Sequence, residues 1–181
     1  MTTVQLLLEI AKYVIPALIV LLASYLIVKK FLVNEIERKR LAIFQEGMDT
    51  TLRLRLQAYE RLALFIERIH PRKLITRVYE PGMTVRDLQV ALTQTIRMEF
   101  EHNLSQQIYV SKQVWKTVAS VHEQEMAMIN NIASQLNPEG SAKELHQNII
   151  GYVMSSEDEI PVEIALEMIN DEAKIVLSQR G

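Results

Sequence analysis

The sequence predicts an all-α protein: an N-terminal transmembrane helix continuing into a stem, followed by an antiparallel helical bundle of four to five helices. Three observations carry that expectation. Residues 13–28, YVIPALIVLLASYLIV, hold no charge and are nearly all apolar, with Lys12 before them and Lys29-Lys30 after. No alternating apolar/polar run is long enough for a sheet; the alternation in Leu52-Arg53-Leu54-Arg55-Leu56 gives way to a heptad. Five Gly and five Pro are mostly spaced as punctuation, dividing the chain into helical blocks.

The first block is the anchor, residues 1–33. Sixteen residues span roughly 24 Å, a little short of the roughly 30 Å hydrocarbon core. Val4, Leu6, Leu7, Leu8 and Ile10 extend the apolar character upstream, and Glu9 can pair with Lys12 at headgroup depth. Phe31, Leu32 and Val33 lie at the far interface while Lys29 and Lys30 snorkel. Tyr13 and Tyr25 stand near the two ends, and Pro16 is expected near the helix start, where its missing N–H costs least. Contact with lipid is therefore expected over residues 4–33. Residues 1–11 contain no Lys or Arg and no small-x-small site follows the apolar run, which argues against a cleaved signal peptide. Lys29, Lys30, Arg38, Lys39 and Arg40 outnumber the lone Lys12, placing the N-terminus outside and the body in the cytoplasm. The absence of cysteine fits a reducing compartment, and there the Asn103-Leu104-Ser105 sequon carries no meaning.

Residues 34–50 read as a basic stem and linker ending near Glu46, with Gly47 as the break and Asp49 or Thr50 as the next cap. Residues 51–181 form the expected bundle. Its first helix places Met48, Leu52, Tyr59, Leu62, Ile66 and Ile69 on one stripe and stops at Pro71. Arg72 to Met83 reads as a connection with apolar anchors Leu74, Ile75 and Val78. Thr84-Val-Arg-Asp87 is a capping-box pattern opening a helix through Glu101 and Asn103. A break is expected at Ile108-Tyr109-Val110, with Ser111 capping a further helix along Val114, Val118, Val121, Met128, Ile132 and Leu136; one unbroken helix from Thr84 to Leu136 is the alternative. Ser141-Ala-Lys-Glu144 opens a fifth, and Pro161 sits in the first turn of a sixth ending near Gln179.

Residues 1–100 carry 15 basic and 10 acidic side chains, against 5 and 12 in residues 101–181. The acidic distal half excludes nucleic acid and leaves Glu157-Asp158-Glu159 open to a basic partner. A Gly-rich phosphate loop, a Gly-x-Ser-x-Gly elbow and a thiol are all missing from the chain, so no catalysis and no cofactor is expected.

RLQAYERLALFIERI at 55–69 and EFEHNLSQQIYVSKQVW at 99–115 resemble a family of small, uncharacterised, membrane-anchored helical proteins found across Bacteroidota. The resemblance covers the whole chain, implies no activity, and sets the anchor in a bacterial inner membrane. It points to the polar positions of the two motifs: Arg55, Gln57, Glu60 and Arg61 on one helix, and Glu99, Glu101, His102, Asn103, Gln106 and Gln107 on the other. Heptad spacing independently turns Arg55, Glu99, His102 and Gln106 toward the core, where a charge needs a partner. Arg55 is therefore expected to meet Glu99 or Glu101, with His102 and the glutamines completing a structural or partner-binding layer. Glu67-x-x-His70 and Glu99-x-x-His102 also match the paired motif of di-iron bundles, with Glu123 or Glu144 to complete it. Eighteen Glu and four His make such matches unsurprising by chance, and His70 abuts Pro71 at a helix end. The expected role is a non-enzymatic scaffold presenting the bundle to a protein partner, with a subunit of a larger membrane assembly as the alternative and, behind it, a metal- or small-ligand-binding bundle using the two Glu-x-x-His motifs.

Overall fold

The computed structural model describes residues 3–155 and 161–178, with the backbone alone for residues 4–11. Glu157-Asp158-Glu159, Gln179 and the side chains of Val4, Leu6, Leu7, Leu8, Glu9 and Ile10 therefore lie outside the described residues. Six α-helices account for nearly all of the described chain: α1 (Thr3–Ile69), α2 (Pro71–Val78), α3 (Val85–Asn103), α4 (Lys112–Ser134), α5 (Ala142–Ser155) and α6 (Pro161–Ser178). The chain divides into two units, residues 1–50 and 51–181.

In the first unit α1 starts at Thr3, which places Pro16 inside the helix rather than near its start. There the ring removes one i→i−4 bond, a loss that α1 absorbs without ending. Gly47 does not break the helix either. A single exposed Gly costs about 1 kcal/mol relative to Ala, too little to stop a helix flanked by Gln45, Glu46 and Met48. Thr50, expected as a cap, instead donates its hydroxyl to the Glu46 carbonyl at 2.9 Å, the back-bond of a residue within a helix. α1 contains the one stretch among the described residues long and apolar enough to cross a membrane, with mean hydropathy 2.0 and none of it buried. Leu21 is 68% exposed.

The second unit holds the core. Tyr59, Leu62, Ile66 and Ile69 of α1 are buried at the expected spacing, whereas Met48, at the head of that stripe, is 58% exposed. Residues 72–83, expected as a connection, begin with helix α2. Pro71 occupies its first turn, where the missing N–H is an orphan anyway, and His70 Nδ1 accepts the Arg72 N–H at 3.2 Å. Leu74 and Ile75 turn inward while Arg72, Lys73 and Arg77 face water. A turn follows in which Met83 N–H bonds the Glu80 carbonyl and Gly82 adopts φ 94°, a conformation that needs glycine after Pro81.

Thr84 and Asp87 form the reciprocal capping box read from the sequence. α3 ends at Asn103, and a 3₁₀ turn over Leu104–Ile108 separates it from α4, so the single-helix alternative is excluded. Ser111 caps α4 by accepting the Val114 N–H at 3.2 Å. The loop between α4 and α5 staples two helix starts together: Val85 N–H bonds the Gly140 carbonyl at 2.9 Å, and Ala142 N–H bonds the Met83 carbonyl at 3.0 Å. α3 packs against α4 and α5, α4 against α5 and α6, and α2 against α3 and α5. On α4, Val114, Val118 and Val121 are buried as expected. Past Val121, however, the buried line runs through Glu125, Ile129 and Ala133, leaving Met128, Ile132 and Leu136 half-covered.

Candidate functional site

Arg55 leaves α1 half-buried, but it does not meet Glu99 or Glu101. Its Nη2 donates to the Tyr59 hydroxyl at 3.0 Å and its Nε to the Tyr109 carbonyl at 3.3 Å. Glu99 is taken instead by Arg68 of α1 at 2.9 Å, with Arg77 of α2 at 3.8 Å. The reason is distance along one helix. Arg55 and Arg68 stand 13 residues apart, about 20 Å at helical rise, beyond what two side chains span.

The Tyr59 hydroxyl, receiving Arg55, donates in turn to Glu172 of α6 at 2.6 Å. The same carboxylate accepts the Ser111 N–H at 2.9 Å and the Ser111 hydroxyl. Three segments meet here: the C-terminal quarter of α1, the N-cap of α4 and the last turns of α6. Burial pushes the Glu172 carboxyl up, but bonds from the Ser111 and Tyr59 hydroxyls, the Ser111 N–H and the Arg55 charge more than reverse it, so the group stays ionised. Burial, then the bond to Glu172, raises the Tyr59 phenol and keeps it a proton donor.

A second knot joins α1 to the end of α3. Arg61 donates to the Asn103 side-chain oxygen at 3.3 Å and to the His102 carbonyl at 3.1 Å. Asn103 is buried and returns a bond from its amide to the Glu99 carbonyl at 2.8 Å. The polar layer read from the sequence thus splits. Arg61 meets Asn103, the Glu99 carboxylate is held by Arg68 and Arg77, Arg55 belongs to the Glu172 network, and Gln106 is buried, bonding Ser105. Gln57, Glu60, Glu101, His102 and Gln107 are exposed. His102 is exposed because the buried line of α3 runs through Leu88, Leu92, Ile96 and Asn103, which leaves position 102 to one side.

The Glu-x-x-His pairs are also separated. Glu67 pairs with Lys73, His70 spends Nδ1 as the cap of α2, and burial, then Lys73, lowers the His70 pKa. Among the described residues no three His, Cys, Asp or Glu side chains gather as a metal site. Glu123 and Glu144, expected to complete one, are exposed.

Sequence reading missed Glu172, Arg68, Arg77 and Glu125. Glu125 is 4% exposed, with Oε2 unbonded in the middle of α4's buried face, and burial raises its pKa to about 7. The signal was present: Glu125 follows Val121 by four residues on the stripe that includes Val114 and Val118. Nearby, His122 stacks on Phe100 at 4.2 Å, and Phe100 on Trp115 at 5.6 Å. The arrangement is suited to locking helices in register.

The outer face of α6 is different. Ile164, Met168, Asp171 and Ile175 fall on one line of the helix and, with Glu167 and Glu172, border a shallow concavity of about 400 Å³. A second hollow of about 330 Å³ lies between α4 and α5, lined by Met128, Ile132 and Tyr152 together with the amides of Asn131, Gln135 and Asn148.

A model described as a family of unknown function (DUF7935) matches residues 5–176 of the chain. No curated protein and no solved structure matches it.

Proposed function

The chain belongs to the DUF7935 family of unknown function, and on that premise we propose that it is a non-enzymatic single-pass membrane protein. Its N-terminal span holds a cytoplasmic antiparallel helical bundle at the bacterial inner membrane, where the bundle docks a protein partner. The observation that supports this reading is the contrast between the two units. Residues 51–178 enclose their own core, while the apolar side chains of residues 13–33 stay exposed. Left in water, each bare Leu, Ile or Val forgoes roughly 1.5–3 kcal/mol of burial, which a bilayer supplies. The basic residues at 29–40 support the N-out orientation.

Alkaline extraction of membranes from cells making the protein tests the anchor. The chain should stay in the pellet, and the double substitution L21R/L22R should move it to the supernatant. Release of the unsubstituted chain would overturn the reading. Because the protein has no native thiol, single cysteines at Thr3 and Ser178 report orientation: an impermeant maleimide should label only the first in intact spheroplasts.

A second reading, a subunit of a larger assembly, draws support from the stem, where Ile36, Leu41, Ile43, Phe44 and Met48 are exposed beyond the apolar stretch. Native electrophoresis of gently solubilised membranes separates the two: a discrete complex several times the chain's mass favours the assembly.

A further inference from the structure

We infer that the outer face of α6 is a groove for a basic amphipathic helix of a partner protein; this rests on the docking role proposed above and names its partner. Two properties of the face select that occupant. One is shape and polarity. Ile164 (42% exposed), Met168 and Ile175 (56% exposed) lie at i, i+4 and i+11, on a line roughly 110° round the helix from the buried residues Val162, Ala165 and Ile169. α6 therefore carries two apolar stripes, one consumed by the core and one left over. Met168 forms the floor, its sulfur accepting the Thr117 hydroxyl of α4 at 3.3 Å. A concavity of about 400 Å³ receives two or three apolar side chains, the footprint of one helix face laid in a groove.

The other property is charge. Glu163, Glu167 and Asp171 are exposed along the same side, and Lys174, the one basic residue of described α6, pairs with Asp171 at 3.4 Å. Residues 101–181 as a whole are strongly acidic. An acidic helix, a nucleic acid or an anionic lipid headgroup would be repelled by this rim. A helix whose apolar stripe is flanked by Lys or Arg gains both anchors and complementary charge.

The experiment uses the full chain in nanodiscs of zwitterionic lipid, with empty discs as blank, at an ionic strength of about 0.15 M, where long-range attraction is screened. The probe is a fluorescently labelled 18-residue Leu/Lys peptide patterned for one apolar helical face. Its controls are a scrambled peptide of the same composition and a Leu/Glu twin. Anisotropy should show the patterned cationic peptide binding at least tenfold tighter than either control. I164N/I175N and E167K/D171K should each weaken binding tenfold or more while leaving the thermal melt in place, since these side chains are at the surface. Equal binding by the scrambled peptide, no binding by the patterned one, or undiminished binding by both double variants would overturn the inference. Failure of the membrane reading is distinguishable: a chain released by alkali is titrated in plain buffer, and the α6 face stands or falls on the same comparisons.

Discussion

Glu125 holds its proton well above the usual carboxylate range, up to about pH 7, because its carboxyl sits among the buried residues of α4 with one oxygen unbonded. The unfolded group titrates near 4.5 and the folded one near 7. Between those values the folded state holds a proton that the unfolded state has lost, so stability falls as pH rises through this window and levels off above it. The full penalty, for 2.5 pKa units, is about 3 kcal/mol. E125Q should remove most of that slope and stabilise the protein at pH 8, as read by denaturant titration of Trp115 fluorescence in mild detergent; an unchanged slope would show that the carboxyl is solvated. Glu172 behaves oppositely. Its folded pKa is depressed, so its contribution is present above about 4.5 and is lost as pH falls through the folded value. E172Q should destabilise the protein at pH 7, and the deficit should shrink in acid. Tyr59 links that carboxylate to Arg55, and Y59F should cost about 1–2 kcal/mol by leaving both short of a bond. At this scale the sequence was only half readable. Of the polar residues whose spacing turned them toward the core, Gln106 is buried and Arg55 and Glu99 are part-covered, while His102 is exposed. Which arginine reaches Glu99 depends on how far along α1 the end of α3 arrives, and helical periodicity gives the face of a residue but not its depth. Glu125 was hidden for a related reason: a stripe is recognised by its apolar members, and a single carboxyl within it reads as a gap.

Element boundaries were legible wherever side-chain chemistry fixes them. The Thr84–Asp87 box, the Ser111 cap and Pro161 each start a helix at the position read from the sequence. Breakers were less reliable, because one Gly or Pro costs less than the helix around it yields. Gly47 and Pro16 lie inside α1, and Pro71 opens a helix as well as closing one. The turn between α2 and α3 is the case in which a glycine is required. With φ 94°, Gly82 occupies a region that costs other residues roughly 1–2 kcal/mol. G82A should lower stability by about that amount, while G47A, in the helix of the first unit, should leave the melt of the second where it is. If thermal melts show no loss for G82A, the conformational argument fails.

For the molecule as a whole, the uncharged apolar run, the lack of a long alternating run and the spacing of Gly and Pro disclosed an all-helical chain with a long apolar N-terminal helix, and the division of labour follows from where the core lies. Every buried apolar side chain named here belongs to residues 51–178, so removing the first unit should not soften the second. Trypsin, cutting at the exposed Arg38, Lys39 and Arg40, should release a fragment that keeps the cooperative melt of the full chain within a few degrees; loss of the transition would mean that the first unit supports the core after all.

The bond between Tyr59 and Glu172 joins residues 113 positions apart. A chain leaving the ribosome presents its tyrosine long before the matching carboxylate is translated, so the closing step of folding waits for the sixth helix. Until then the nascent body shows its sticky surfaces to solvent, and a premature stop anywhere before α6 leaves a polypeptide for chaperones and proteases rather than a shortened working protein.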